Sequence, residues 1–391
     1  MHRIVSLCLV TLVFGWASSS SAQTQSLTPA QYRDDALGIE TTINTAYAYL
    51  DRFSGDVMPM SDVLRTEAGA VTDSRSLLKY AEHALLSLAD HHAITGRSFS
   101  DDWALVPSYS DLWIEKVGSD FVIEAVRAGS PAATAGIREG DRLSAIGEVR
   151  PDDAVAAFWA DLGLPVNDER AAFAARILAA GRRDRERDLT VTTAEGAERR
   201  LTLKNLYQIV QDRPRVTTTT EGDGLVIRLN DSLGDNATIA DFDAEMAKAT
   251  DGQPIIIDLT DTPSGGNTVV ARAIMGWFVS APTAYQIHNL PSEERETGIP
   301  RQWIEQVLPR PAKHHSGPVS VRVGRWTGSM GEGLAVGFDA IGARVTGGPM
   351  ARLLGAVSDI ALPNSGLVLK MPTERLSTVG GNPREAFVPA Y

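Results

Sequence analysis

Ser329 stands in the run Thr327-Gly328-Ser329-Met330-Gly331-Glu332, between an alternating apolar stretch at 319–323 and a helical pattern carried by Leu334, Phe338 and Ile341. A serine at a helix start meets free backbone N–H groups and the positive end of the helix dipole, which favour negative charge. Two roles fit it. The hydroxyl is an N-cap, or it is a nucleophile, with the N–H of Met330 placed to stabilise an oxyanion. A second run, Thr260-Asp261-Thr262-Pro263-Ser264-Gly265-Gly266-Asn267, follows the apolar stretch 255–259 and precedes a helical pattern with Val270, Ile274 and Phe278. Paired glycines let backbone N–H groups approach a ligand closely. They form either a tight strand-to-helix turn or the fixed donors that a developing oxyanion needs.

Both runs are set in a pattern that must position them. Over 214–391 short apolar strands alternate with helical segments, which predicts right-handed βαβ units and a largely parallel sheet. Residues 27–104 read as a helical region. Thr28-Pro29 opens one helix through Leu37, Ile39, Ile43, Tyr47 and Leu50. A second helix runs through Leu77, Leu78, Ala81, Leu85 and Leu88, and stops near Asp90-His91-His92. Residues 105–206 read as a β unit, with strands at 121–126 and 142–146 and a hairpin turning at Glu195-Gly196. Its segment Val155 to Gly181 reads as extra helix. The stretch 285–318 is rich in proline and charge and reads as a long loop holding one helix around 303–308.

A chain of 391 residues suits two or three domains. Its net charge of −12 and lack of a basic stripe predict no nucleic-acid partner. The arginines 182, 183, 185 and 187 alternate with acids and read as a solvated turn. Arg3, the short apolar core Ile4–Trp16 and the small residues Ser20-Ser21-Ala22 read as a signal peptide over 1–22, cut near Ala22. That core is too short for a stable membrane span, so a periplasmic or secreted location is expected. Cys8 is the only cysteine, so the processed chain has no disulfide or thiolate chemistry. His314-His315 lack the helical spacing and carboxylates of a metal site, and no metal or cofactor is expected.

The run GSPAATAGIREGDRLSAIGEV, from Gly129 to Val149, resembles a PDZ domain, which adds the end of an extended peptide to a sheet edge. The segment 109–114, where such a domain carries its glycine-rich carboxylate loop, has no glycine. C-terminus capture and a spacer or lid role both stay open. The order of this unit, a strand-Asp-loop-Gly-Gly-helix, a strand-Gly-Ser-x-x-Glu-helix and a Gly-x-Pro-x-Glu tail is similar to the C-terminal processing (tail-specific) and tricorn-core serine peptidases. That resemblance spans nearly the whole processed chain. It implies a crotonase/Clp-like layered βαβ core over 214–391, a PDZ-like domain over 105–206 and an N-terminal helical region over 27–104. It also implies Ser329 as nucleophile and an oxyanion hole from Gly265 or Gly266 with Met330.

One branch of that family uses a lysine in a Thr-x-Gly-Lys setting. Here the stretch reads Thr346-Gly347-Gly348-Pro349, and Lys370 lies outside it. The other branch uses a histidine in a Leu-x-Asp-x-His stretch, which Leu88-Ala89-Asp90-His91-His92 matches at His92, with Glu385 as the orienting carboxylate. His91 and Glu332 remain alternatives for those two roles. The expected function is an exported serine endopeptidase acting on unfolded or extended polypeptides, or else an inactive peptide-binding relative. An unperturbed histidine base titrates near 6.5, so activity is expected to rise through about pH 6–7 unless burial or Glu385 moves it. An α/β-hydrolase esterase would need Gly-x-Ser-x-Gly, and Thr327 departs from it. Nothing in the sequence sets an oligomeric state.

Overall fold

The computed structural model describes residues 26–209 and 212–390. The segment read as a signal peptide lies outside them. Thr28 caps the helix Pro29–Ala46 by a capping box with Gln31, with Pro29 at its first position. Helices Asp62–Ala70 and Ser74–Leu86 pack against it, burying Ile39, Ile43, Leu64, Leu77, Ala81 and Leu85. Each of these leucines and isoleucines contributes roughly 1.5–3 kcal/mol when fully buried. The helical region is shorter than its pattern predicts. After Leu86 the chain turns through Ala89, at φ 47°, and Asp90-His91-His92, then enters the two-residue strand Ile94–Thr95. That strand pairs antiparallel with Val368–Ser377 near the chain's end.

Residues 112–203 form a five-stranded antiparallel meander in the order Leu112–Val117, Asp120–Val126, Arg142–Ile146, Arg187–Thr192, Glu198–Leu203. The expected hairpin is present, with Asp188 opposite Thr202 and Gly196 at φ 90° in the turn. The segment read as extra helix forms two helices, Pro151–Ala160 and Asp168–Ala180. This sheet shares one continuous apolar core with the N-terminal helices and with Leu353, Leu369 and Met371 of the C-terminal part.

The third unit has its own core. Its main sheet runs Arg344–Gly347, Val319–Val323, Ile255–Asp258, Gly224–Leu229, Val216–Glu221. The first four strands are parallel and the last is antiparallel. Helices Thr238–Met246, Thr268–Met275 and Met330–Ala340 provide the crossovers. A second sheet joins Val368–Ser377 to Ala356–Ala361, Ile94–Thr95 and Thr283–Asn289, which in turn pairs with Gln302–Val307. The sequence expectation fails at 303–308: the segment is a strand. Its exposure alternates, with Trp303 and Glu305 on one face toward His288, a period of two that the surrounding charge concealed. Helix Pro291–Thr297, ended by Gly298 at φ 73°, links the two strands. Among the described residues no helix is long and apolar enough to cross a membrane.

Candidate active site

The loop after strand Ile255–Asp258 and the loop after strand Val319–Val323 are tied side by side. Asp261-Thr262 runs parallel to Trp326-Thr327 as a short bridge. Thr262 Oγ1 and Thr327 Oγ1 both donate to the Leu259 carbonyl at 2.7 Å, and Gly328 N–H donates to the Thr262 carbonyl at 3.2 Å. Parallel neighbours therefore deliver both loops to one end of the sheet, where open α/β sheets place their ligands.

Ser329 sits at φ 52° and ψ −115°, outside the regions open to most L-residues. Such a conformation costs of order 1–3 kcal/mol and persists only where neighbours enforce it. Gly265 is one of them. At φ 69°, it lies so close that a side chain there would place its Cβ 2.3 Å from Ser329 Cβ and 2.8 Å from the Met330 nitrogen. Only glycine permits that approach. Gly266 faces elsewhere, against the Leu233–Gly234 turn, where a Cβ would fall 2.1 Å from the Leu233 carbonyl carbon. Of the paired glycines, Gly265 is the one that abuts Ser329 and Met330.

His92 reaches the same point from 237 residues away in sequence: its Nε2 lies 3.0 Å from Ser329 Oγ. Its Nδ1 donates to the Leu354 carbonyl at 2.6 Å, which leaves the Nε2 lone pair toward the hydroxyl. The turn is fixed by Asp90, whose Oδ1 accepts His92 N–H at 2.9 Å and whose Oδ2 accepts from Tyr47 Oη at 2.8 Å. Burial lowers the His92 pKa to about 4, against the raising effect of the Leu354 carbonyl, with Arg384 lowering it further. The ring is neutral over the physiological range. Neutral imidazole on a hydroxyl, beside backbone N–H groups at a helix start, can deprotonate the oxygen and hold a tetrahedral oxyanion.

His91 points away from Ser329. It stacks on Phe173 with ring centres 4.4 Å apart. Glu385 lies in the turn Arg384–Ala386, and its Oε2 is buried with no hydrogen-bond partner. The orienting contact of His92 is a backbone carbonyl, not either carboxylate weighed from the sequence. Glu332 has a different part. Fully buried, it accepts the N–H of Ser329 at 2.9 Å, of Arg352 at 2.8 Å and of Leu353 at 3.2 Å. Burial raises its pKa to about 7 against these bonds and the charge of Arg384. Lys370 is bonded to Asp359 at 2.6 and 2.8 Å. His315 Nε2 donates to the Gln253 carbonyl at 2.7 Å, and Gln253 precedes strand Ile255–Asp258 whereas the loop pair follows it.

Sequence reasoning missed the segment 352–355 and Arg384. Arg384 Nη2 donates to the carbonyls of Leu353 at 2.8 Å and Gly355 at 3.0 Å, flanking the Leu354 carbonyl that holds His92. Glu332 grips the N–H groups of the same segment, so a carboxylate and a guanidinium clamp it from two sides. Residue types alone gave little signal, because the contacts fall on backbone atoms. The one clue was Glu332, three residues beyond Ser329, in a capping-box spacing.

No family model matches the sequence, and a search of curated proteins likewise finds no match. Solved structures do match. A photosystem II D1 C-terminal processing protease superposes with a TM-score of 0.57 at 16% identity, over 92% of each chain. Mature CPAF complexed with lactacystin gives 0.54 at 14% identity, over 93% of each chain. The class is thus a mixed α/β fold of the kind seen in C-terminal processing peptidases. In particular, the architecture follows that D1-processing protease along nearly its whole length.

Proposed function

We propose that this chain is a serine peptidase of the C-terminal processing family that cleaves unfolded or extended polypeptides outside the cytoplasm. One observation carries the reading: the 3.0 Å contact between His92 Nε2 and Ser329 Oγ, made by residues 237 positions apart at the lip of the parallel sheet. In the proposed reaction His92 takes the hydroxyl proton as Ser329 Oγ attacks the scissile carbonyl. The tetrahedral oxygen faces the N–H groups of Gly265 and Met330. The imidazolium then gives its proton to the leaving amine. The C–N bond breaks, the acyl group stays on Ser329, and water releases it by the same steps in reverse order.

A resting pKa of about 4 makes His92 a weak base alone. The negative charge that develops on the substrate oxygen raises its basicity as the proton moves, so transfer and attack proceed together. The backbone carbonyl of Leu354 fixes the tautomer without supplying a full charge.

The test is fluorophosphonate labelling and casein cleavage by the processed protein, compared with Ser329→Ala. Covalent labelling at Ser329 and loss of both signals in the variant are expected. A wild type that neither labels nor cleaves would replace this reading with that of an inactive peptide binder.

A further inference from the structure

Strand Leu112–Val117 lies at the edge of its sheet, bonded on one side to Asp120–Val126. A free edge is where an extended peptide adds as a further strand. Here that edge faces helix Asp168–Ala180. Arg176 Nε donates to the Ile114 carbonyl at 2.9 Å, and its guanidinium pairs with Glu115 at 2.6 Å and lies 4.6 Å from the Trp113 ring centre. On its other side the helix meets Pro151–Ala160: Trp159 Nε1 donates to the Arg170 carbonyl at 2.9 Å, and the Trp159 and Phe173 rings are 5.9 Å apart. The Arg176 side chain of this helix therefore takes the Ile114 carbonyl that an added strand would pair with. The helix's buried alanines, Ala171, Ala172, Ala174 and Ala175, let it sit close.

The same helix reaches the proposed active site. Phe173 stacks on His91 at 4.4 Å and an interplanar angle of 22°. His91 Nε2 is buried without a hydrogen-bond partner, so this ring is held by packing. Its backbone runs directly into His92. A cleft of about 400 Å³ remains beside the contact, lined by Phe173, Arg176, His91 and Leu354 among others. Removing the phenyl ring would enlarge that cleft and leave the His91 ring without its stacking partner.

We propose that helix Asp168–Ala180 is the resident occupant of the peptide groove, and that through Phe173 and His91 it holds the turn carrying His92 in line with Ser329. The β unit then braces the base and does not receive peptide ends. Phe173 is a positioning residue, and this half of the proposal rests on His92 being the base.

Two measurements test it. In the processed protein, Phe173→Ala should lower kcat for a casein-derived peptide about tenfold or more with KM changed less than about twofold, and Phe173→Leu should restore most of the loss. Unchanged kcat in Phe173→Ala overturns the bracing role. If that variant does not fold, the series Phe173→Leu and Phe173→Val replaces it, and kcat must fall as the side chain shrinks. Independently, hydrogen exchange is followed over residues 112–117 in Ser329→Ala, with and without millimolar short peptide ending in a free valine carboxylate. Exchange there should not change. Peptide-induced protection of 112–117 overturns the occupancy. If the wild type proves inert, the peptidase reading fails on its own, and the exchange experiment still decides whether the groove is filled.

Discussion

His92 and Leu354, 262 residues apart, meet at 2.6 Å, imidazole Nδ1–H on backbone carbonyl. That bond makes the proposed base depend on the shape of a loop and not on a second ionised side chain.

Ser329→Ala should abolish fluorophosphonate labelling and casein cleavage and leave unfolding within about 1 kcal/mol of wild type, since it removes one oxygen at a helix start. His92→Ala should lower turnover by several orders of magnitude, because members of such a unit act together. Labelling rates and urea unfolding check both.

The acid limb of kcat/KM should fall near pH 4, well below the 6–7 expected for an unperturbed histidine, because burial lowers the His92 pKa to about 4. Activity rises as the proton leaves and is level by pH 6. The linkage has a fixed sign. A histidine depressed in the folded state adds stability above about 6.5 that is lost as pH falls through about 4. Wild type should therefore gain on His92→Ala by about 3 kcal/mol between those limits, read from urea unfolding at a series of pH values.

Arg384→Met should destabilise the fold by about 2–5 kcal/mol and lower the labelling rate at least tenfold. The substitution strips two buried carbonyls of their donor and leaves Glu332 without the guanidinium 3.9 Å away. Glu332→Gln should act in the same direction. Both carboxylate oxygens accept N–H groups, so an amide nitrogen must face a donor whichever way it turns. Labelling kinetics and thermal denaturation measure each.

Lys370→Ala should leave turnover unchanged within about twofold and stability within about 1 kcal/mol, since its ammonium is occupied by Asp359 in a partly exposed pair. Glu385→Gln should also be mild, within about threefold in kcat, because no bond joins it to His92 in the resting site. A dead Lys370→Ala beside an active His92→Ala would reverse the choice of base.

The alternation of strands and helices over 214–391 was legible because it rests on local periodicity, whereas the meeting of the two glycine-bearing loops was expected only through the family resemblance. Ser329 and Gly265 belong to those loops. The strand Gln302–Val307 was not legible, since its inward face is built from Trp303 and Glu305, with Val307 its one aliphatic residue. The orienting group was illegible for a deeper reason. A sequence displays side chains, and both carboxylates weighed for that role were side chains. The contact was made by a peptide carbonyl whose position depends on Glu332 and Arg384, 52 positions apart in sequence and brought together only by the closed fold.

The clamp on 352–355 draws its guanidinium from Arg384, and the strand that anchors Ile94–Thr95 is Val368–Ser377. Residues 368–384 thus complete a centre whose other parts come from residues 92, 265 and 329. Loosening that stretch alone would leave Ser329 in its loop and take the support from the imidazole, so the proposed centre can be dismantled without touching its nucleophile.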